Sequence, residues 1–572
     1  MAESTSGSEQ SFRTWPVPEL ESLSLRATMV GLQADEVDAL QFRSWLGRHN
    51  LDIVAACAAL LLTLIVRRFF RSERLRLAPG PRKWPVIGNL PSVMGTTPAH
   101  LNFLRLAAEY GPIVRLELGA VQILVISSAE LAKEILETQD HIFASRPSNI
   151  KAEVAFFGRD LLFAPLGDRF RLMRKVLAVE LLGTKRIQQF RESRRQEVLY
   201  TVNRIIEEGH GGRELIVEEL LQESAFCVLT RMIFNRTFYS TEQYEKEEEN
   251  QMKNIHKLFS ALTAMKTSGI GDSFPSLRKF DLDGFEGQLT KIRVQLDTCL
   301  SKIIEQHRHR AAARADPRAE SSDFLDVLLC LQTDASHEAH GFPDDDIKAL
   351  LLDILLAGTD ATRLLVVWAM CNLMKHPHVM KKVQQELDDV VGRERLVDES
   401  DMKNLAYLGA VARETLRLHP GSPVTVAHVC TKDTQVGGYD VRQNTSAFVN
   451  LYALHRDPKL WDNPLEFRPE RWLHGELDHK RKEFAYLPFG AGRRMCPGMN
   501  LGSLVAHFTL AQLMHTCNFS LPVGMKPDDI SLAEKFGVVL SMAHPLKLLV
   551  SPRLPPTAYT EQAPLQARKQ CS

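Results

Sequence analysis

Residues 349–374, ALLLDILLAGTDATRLLVVWAMCNLM, constrain this chain more than any other stretch. The segment is apolar on nearly every side, the pattern of a helix buried through the centre of a large domain. Polar residues nevertheless sit at its middle: Gly358, Thr359, Asp360, Thr362 and Arg363. Glycine inside a helix costs about 1 kcal/mol relative to alanine, and a buried unpaired carboxylate costs more, so something must compensate. Two readings stand. Asp360 and Arg363, three residues apart, can neutralise one another locally. Alternatively, Gly358 admits a flat ligand to the backbone while the polar residues handle protons.

The chain is 572 residues long, beyond the usual size of a single core, which implies several domains or one large domain with appendages. Residues 1–46 lack periodicity and read as a poorly ordered extension. The apolar run 51–66, LDIVAACAALLLTLIV, is short of the roughly 20 residues of a spanning helix. Arg67, Arg68, Arg71, Arg74 and Arg76 follow it and a more acidic segment precedes it, the asymmetry of a positive-inside anchor. We assign a single anchor at 47–71 with the main domain cytosolic; a buried core helix is the alternative. Pro79, Pro81, Pro85 and Pro91 then preclude a continuous helix and mark a hinge over 72–99. Long helical patterns dominate 100–551, with short strand-like runs at 113–127 and a hairpin around Gly437 and Gly438, so the fold class is mainly α with a smaller β-rich region. Residues 308–323 read as a solvated linker and 552–572 as a polar tail with little to bury. Lys plus Arg equal Asp plus Glu at 70 each, which leaves no basic excess for nucleic acid.

Nine cysteines, an odd number without CxxC spacing, exclude a zinc ribbon and covalent c-type haem attachment by their usual signatures. One of them, Cys496, lies in FGAGRRMCPG, 489–498. Gly490, Gly492 and Gly498 allow tight turns, and Pro497 withholds an amide beside the sulfur. Backbone amides and a nearby guanidinium would hold the sulfur deprotonated, which suits one axial thiolate on iron.

Phe489, Gly492, Arg494, Cys496 and Gly498 resemble the FxxGxRxCxG signature of the haem-thiolate monooxygenases, the cytochrome P450 family. Glu414 and Arg417 resemble its ExxR pair, Phe467, Pro469, Glu470 and Arg471 its FxPERF segment, and AGTDAT its oxygen-binding helix. The proline hinge and FRLMRK, 170–175, match as well. The resemblance spans about 78–551 and is strongest to plant microsomal members. It implies a triangular helical domain around haem b, with a long central helix and a small β subdomain. Cys496 would be the proximal thiolate, whose electron donation favours O–O cleavage. Arg174 and Arg494 would bind the haem propionates, with Arg171 and His428 assisting; a structural imidazole is an equal reading of His428. Glu414, Arg417 and Arg471 would brace the pocket, and Phe170 replaces the family's tryptophan.

The central helix departs from the family. Hydroxylating members have an acid followed directly by threonine; here Ala361 follows Asp360 and the hydroxyl is displaced to Thr362. One residue turns a side chain by roughly 100°, so Thr362 should point elsewhere. Thr359, a water or a substrate hydroxyl would complete the proton path, or oxygen activation is poorly coupled. Arg363 and Val367 also replace the small residue and glutamate common there. The resemblance implies an enzyme that inserts one oxygen atom from O2 into a small hydrophobic or aromatic substrate. Electrons would come from NADPH through a separate NADPH–cytochrome P450 reductase, at the endoplasmic reticulum membrane. Substrate walls are expected at 149–160, the face of the central helix, 421–427 and 537–542, although core packing is the safer reading of Phe156, Phe157 or Val539 taken singly. A reductase-independent isomerase or dehydratase, favoured by Ala361, and a non-catalytic haem-binding protein are the alternatives.

Overall fold

The structure, a computed structural model, describes residues 59, 75–93, 95, 97–236, 243–312, 323–473, 484–536 and 539–562. The chain divides into two compact units, Met1–Leu75 and Arg76–Ser572. Apart from Ala59, the apolar run 51–66 lies outside the described residues, among which no helix is long and apolar enough to cross a membrane.

In the second unit the principal helices are α1 (Ala99–Tyr110), α2 (Ile150–Ala155), α3 (Asp168–Val176), α4 (Arg191–Glu208), α5 (Val217–Phe234), α6 (Gln243–Ala264), α7 (Phe285–Ala312), α8 (Phe324–Thr333), α9 (Asp344–Lys375), α10 (Pro377–Val390), α11 (Ala406–Leu418) and α12 (Met499–Thr516). Strands are short: β1 (Ile113–Leu118), β2 (Val121–Ile126), β3 (Leu215–Ile216), β4 (His428–Val429), β5 (Thr434–Val436), β6 (Tyr439–Val441), β7 (Ser446–Val449), β8 (Cys517–Ser520), β9 (Glu534–Phe536), β10 (Leu540–Met542) and β11 (Lys547–Pro552). They form a four-stranded sheet in the order β1-β2-β7-β4, a three-stranded sheet β3-β11-β8, and the hairpins β5-β6 and β9-β10. The expected hairpin at Gly437 and Gly438 is β5-β6; both glycines take positive φ, 56° and 76°, as a tight two-residue turn requires.

The apolar segment read from the sequence forms most of α9. Asp344, Asp345 and Asp346 in its first turn complement the positive end of the helix dipole, and Pro377 follows its last turn. Helices α5, α10, α11 and α12 pack around it, so its apolar sides all meet apolar partners. From Asp346 to Met374 only Ala357, Gly358 and Ala361 escape burial.

Two expectations need correction. Helix α7 runs on to Ala312, into the stretch read as a linker, whose residues 313–322 lie outside those described. The tail is not idle: Leu554 and Ala558 are buried with Leu199 and Leu396, and Tyr559 donates its hydroxyl to the Thr516 carbonyl at 2.6 Å. Its few apolar residues were too sparse to show a period but suffice to close a small satellite core.

Candidate functional site

The cysteine loop is built by its glycines. Gly490 and Gly492 adopt φ of 70° and 68°, and a Cβ on Gly492 would lie 2.0 Å from the Leu136 carbonyl oxygen, so no other residue fits there. The Cys496 N–H closes the loop on the Phe489 carbonyl at 2.9 Å, which gives Phe489 a backbone role while its ring is half-buried against the core. Burial pushes the Cys496 thiol up, and the amides of Gly498 and Met499 and the Arg174 guanidinium oppose this without prevailing. The amides and the guanidinium expected to favour a thiolate are thus in place around the sulfur, and a bound cation would favour it further.

Helix α12 starts three residues after Cys496 and leads to α9. At Gly502, one turn in, a Cβ would sit 3.9 Å from Thr362 Oγ1. Thr362 is therefore turned toward α12, as the 100° rule requires. Thr359 is fully buried with its Oγ1 unpartnered among the described residues, and at 100° per residue it lies on the face of α9 opposite Ala357 and Ala361. Ala357 and Ala361, one turn apart, are the exposed positions in this otherwise buried stretch. Neither threonine joins that stripe. A Cβ on Gly358 would lie 2.7 Å from Leu229 Cδ1, so the glycine also lets α5 approach closely, and half-exposed itself it adjoins the shallow face of the alanines.

Asp360 is buried and pairs with Arg363 at 3.3 Å, while Arg363 reaches Glu218 at the start of α5. Burial raises the Asp360 carboxyl and Arg363 partly offsets the rise. The local charge pair is thus the reading realised in the fold. Val367 is simply core.

Four groups converge behind the loop. Arg494 donates to the carbonyls of Ala144 (2.6 Å), Leu161 (3.3 Å) and Ala164, with its guanidinium 3.7 Å above the Phe170 ring. The phenyl ring thereby keeps an aromatic contact where the family has tryptophan. Arg174 donates to the Met495 carbonyl at 2.7 Å. His428 is buried with Nδ1 3.1 Å from the Phe143 carbonyl, and burial, reinforced by Arg146 and Arg494, lowers it to about 3, so it is neutral. The fourth group, Arg146, was missed by the sequence reading; it is buried and donates to the carbonyls of Leu162 (3.0 Å), Val426 (3.0 Å) and Ala427 (2.7 Å). Its only sequence signal is a lone Arg-Pro after the apolar FAS, indistinguishable from a loop. Arg171 does not join: it is exposed and paired with Asp168 on the outer face of α3.

The bracing network is fully assembled. Arg417 meets Glu414 through two bonds of 2.9 Å, Arg471 and Trp472 add bonds of 2.9 Å each, and the Arg468 amide adds one of 3.0 Å. Burial works to raise Glu414, but these donors overcome it and hold the carboxyl below its usual range. Of the expected walls, Phe156 is core, Phe157 lies under the Arg293 and Lys348 cations, and the Leu540 N–H reaches the Gly421 carbonyl at 3.0 Å, joining two wall segments. Residues 537 and 538 lie outside the described residues.

A family model described as Cytochrome P450 matches residues 78–550. A flavonoid 3'-monooxygenase of Petunia hybrida is 36% identical over 89% of this chain and 99% of that relative. Cytochrome P450 71A1 of Persea americana is 37% identical over 82% of this chain and 91% of that relative. Among solved structures, a zebra fish cytochrome P450 with progesterone superposes with a TM-score of 0.66 at 26% identity, covering 80% of this chain and all (100%) of that one.

Proposed function

Because the chain belongs to the cytochrome P450 family and is a haem-thiolate monooxygenase, we propose that it oxygenates a planar phenolic plant metabolite, with Cys496 as the ligand of its haem b. The flavonoids named for its relatives are the first substrates to test. One observation carries the reading: α9 is buried except at an alanine stripe, beside the point where the helix leaving the cysteine loop meets it. The residues fit a porphyrin. Ala357 and Ala361 leave a flat face, Cys496 supplies a sulfur, and Arg146, Arg174 and Arg494 donate only to backbone carbonyls among the described residues, leaving three cations for two propionates.

When bound, haem supplies the binding of dioxygen and its reductive activation. The chain does the rest. Cys496 would hold the iron, and the arginines would fix the porphyrin by its carboxylates. Apolar wall residues would exclude water. Thr359, Asp360 and Thr362 all lie off the alanine stripe, so the proton needed there would come from water or from a hydroxyl of the substrate itself. A phenolic substrate suits that requirement.

Electrons would come from NADPH through a separate membrane-bound reductase; the exposed Arg493 of the cysteine loop supports docking of an acidic partner. We place a single-pass anchor in the endoplasmic reticulum membrane at 47–71, after an extension over 1–46, then a hinge at 72–99 and a cytosolic catalytic domain over 100–551. The exposed Trp84, Val86, Ile270, Phe280 and Leu282 support contact with lipid, their two segments being linked through the β1-β2 turn by the Ala120 N–H to the Ser273 carbonyl at 2.9 Å.

The test is spectroscopic. The reduced, carbon-monoxide-treated protein should show the red-shifted Soret band of thiolate ligation, and Cys496→Ser should abolish it. A normal band in Cys496→Ser refutes the ligand assignment. Titration of the ferric protein with flavonoids should displace the iron-bound water, and silence across that class redirects the substrate search.

A further inference from the structure

We propose that Asp353 is a positioning residue that acts through the 160–164 loop to set where Arg146 and Arg494 present their guanidinium groups. The inference rests on the reading of those arginines as haem-propionate partners. Asp353 lies on α9 one turn before Ala357, so the helix places it in line with the alanine stripe. It is buried, and among the described residues its oxygen accepts the Leu161 N–H and meets no cation within ion-pair distance. Asp160, equally buried, accepts the Phe163 N–H at 2.6 Å. The same short loop turns its carbonyls the other way: Leu162 to Arg146 at 3.0 Å, and Leu161 and Ala164 to Arg494. Its amides are thus held by carboxyls while its carbonyls hold the arginines. A movement of the loop must move both guanidinium groups.

A buried carboxyl without an ion-pair partner is costly, and a hydrophobic residue of similar size would pack there more cheaply. Arg169, whose charge acts on Asp353, forms its ion pair with Asp346 instead, at 2.9 Å. Burial and the proximity of Asp160 push Asp353 well above the usual carboxylate range, and burial carries Asp160 up to about 6.

The test measures haem release from the intact holoprotein to a haem scavenger, together with the propionate bending modes by resonance Raman. Asp353→Ala should speed release about tenfold and shift those modes, the range typical of losing a supporting partner. Asp353→Asn, which keeps an acceptor for the Leu161 N–H, should restore release to within about threefold of the parent. Parent-like release and modes in Asp353→Ala overturn the inference, as does a folded Asp353→Asn that behaves like Asp353→Ala. Should Asp353→Ala not fold, Asp160→Ala is expected to act in the same direction from the other end of the loop, and parent-like release there overturns it equally. Arg146→Ala and Arg494→Ala separate the premises: if both leave release unchanged the propionate reading fails, and if they speed it while Asp353→Ala does not, only the positioning role fails.

Discussion

At residue 361 the chain carries a methyl group on the exposed stripe of α9. Ala361 lies with Ala357 on the exposed stripe of α9, whereas the hydroxyls of Thr359 and Thr362 lie on other faces, the second against α12. Asp360 cannot substitute for an alcohol there, since it is buried and held by Arg363 at 3.3 Å. Ala361→Thr should therefore raise product formed per NADPH consumed by about threefold or more, short of the hundredfold of a full general acid–base contribution. No gain, in a variant that binds substrate normally, would mean that substrate or water already supplies the proton efficiently. The displacement was visible in the sequence, because a helix turns each residue by a fixed angle. Which face carries the ligand was not, because that depends on what α5 and α12 cover.

At the scale of elements, Glu414 ties α11 to the segment carrying Arg468, Arg471 and Trp472 and holds Arg417 in place. Arg417 in turn donates to the carbonyls of His455 (2.7 Å) and Pro464 (2.6 Å), so one carboxylate organises three stretches of chain. Glu414→Gln leaves Arg417 and Arg471 buried with too little negative charge, and should cost about 3–5 kcal/mol of stability. Urea unfolding of the purified variant measures this, and a loss below about 1 kcal/mol would mean that the network is dispensable. The pair Glu414 and Arg417 was legible as i, i+3 spacing. Its burial and its link to Arg471, 57 positions along, were set by packing alone.

Across the whole molecule, buried imidazoles set the acid limit. His455 is fully buried, its Nδ1 donates to the Arg417 carbonyl at 3.2 Å and its Nε2 accepts the Leu487 N–H at 3.0 Å, so Nε2 cannot take a proton without losing that bond. Burial, with Arg456 and Arg417, lowers His455 to about 3, and His428 falls to about 3 as well. Below pH about 6.5 the unfolded chain binds protons that the fold refuses, so stability is complete above that pH and declines toward pH 3. The expected slope is up to about 1.4 kcal/mol per pH unit for each histidine. Glu414, held low, adds its own loss only below about 4.5, where the unfolded carboxyl protonates. Denaturation midpoints between pH 7 and 4 should fall, and His455→Gln should flatten the decline; a pH-independent midpoint contradicts the assignment.

The sequence by itself determined the central helix, the cysteine loop and the β5-β6 turn, because each depends on local periodicity, positive φ or short spacing, and it left the charge pair inside α9 as one of two readings. Tertiary structure alone decided that Gly358 serves α5, that Arg171 faces outward, that Arg146 completes the cationic cluster and that the Cys496 thiol is raised. Those outcomes depend on which distant surfaces meet: a Leu229 methyl against Gly358, a loop of carbonyls around Arg146, a half-buried setting for Cys496. Contacts between residues far apart in the chain leave no period to read, and burial, which sets the cost of every charge, exists only once the chain has closed on itself.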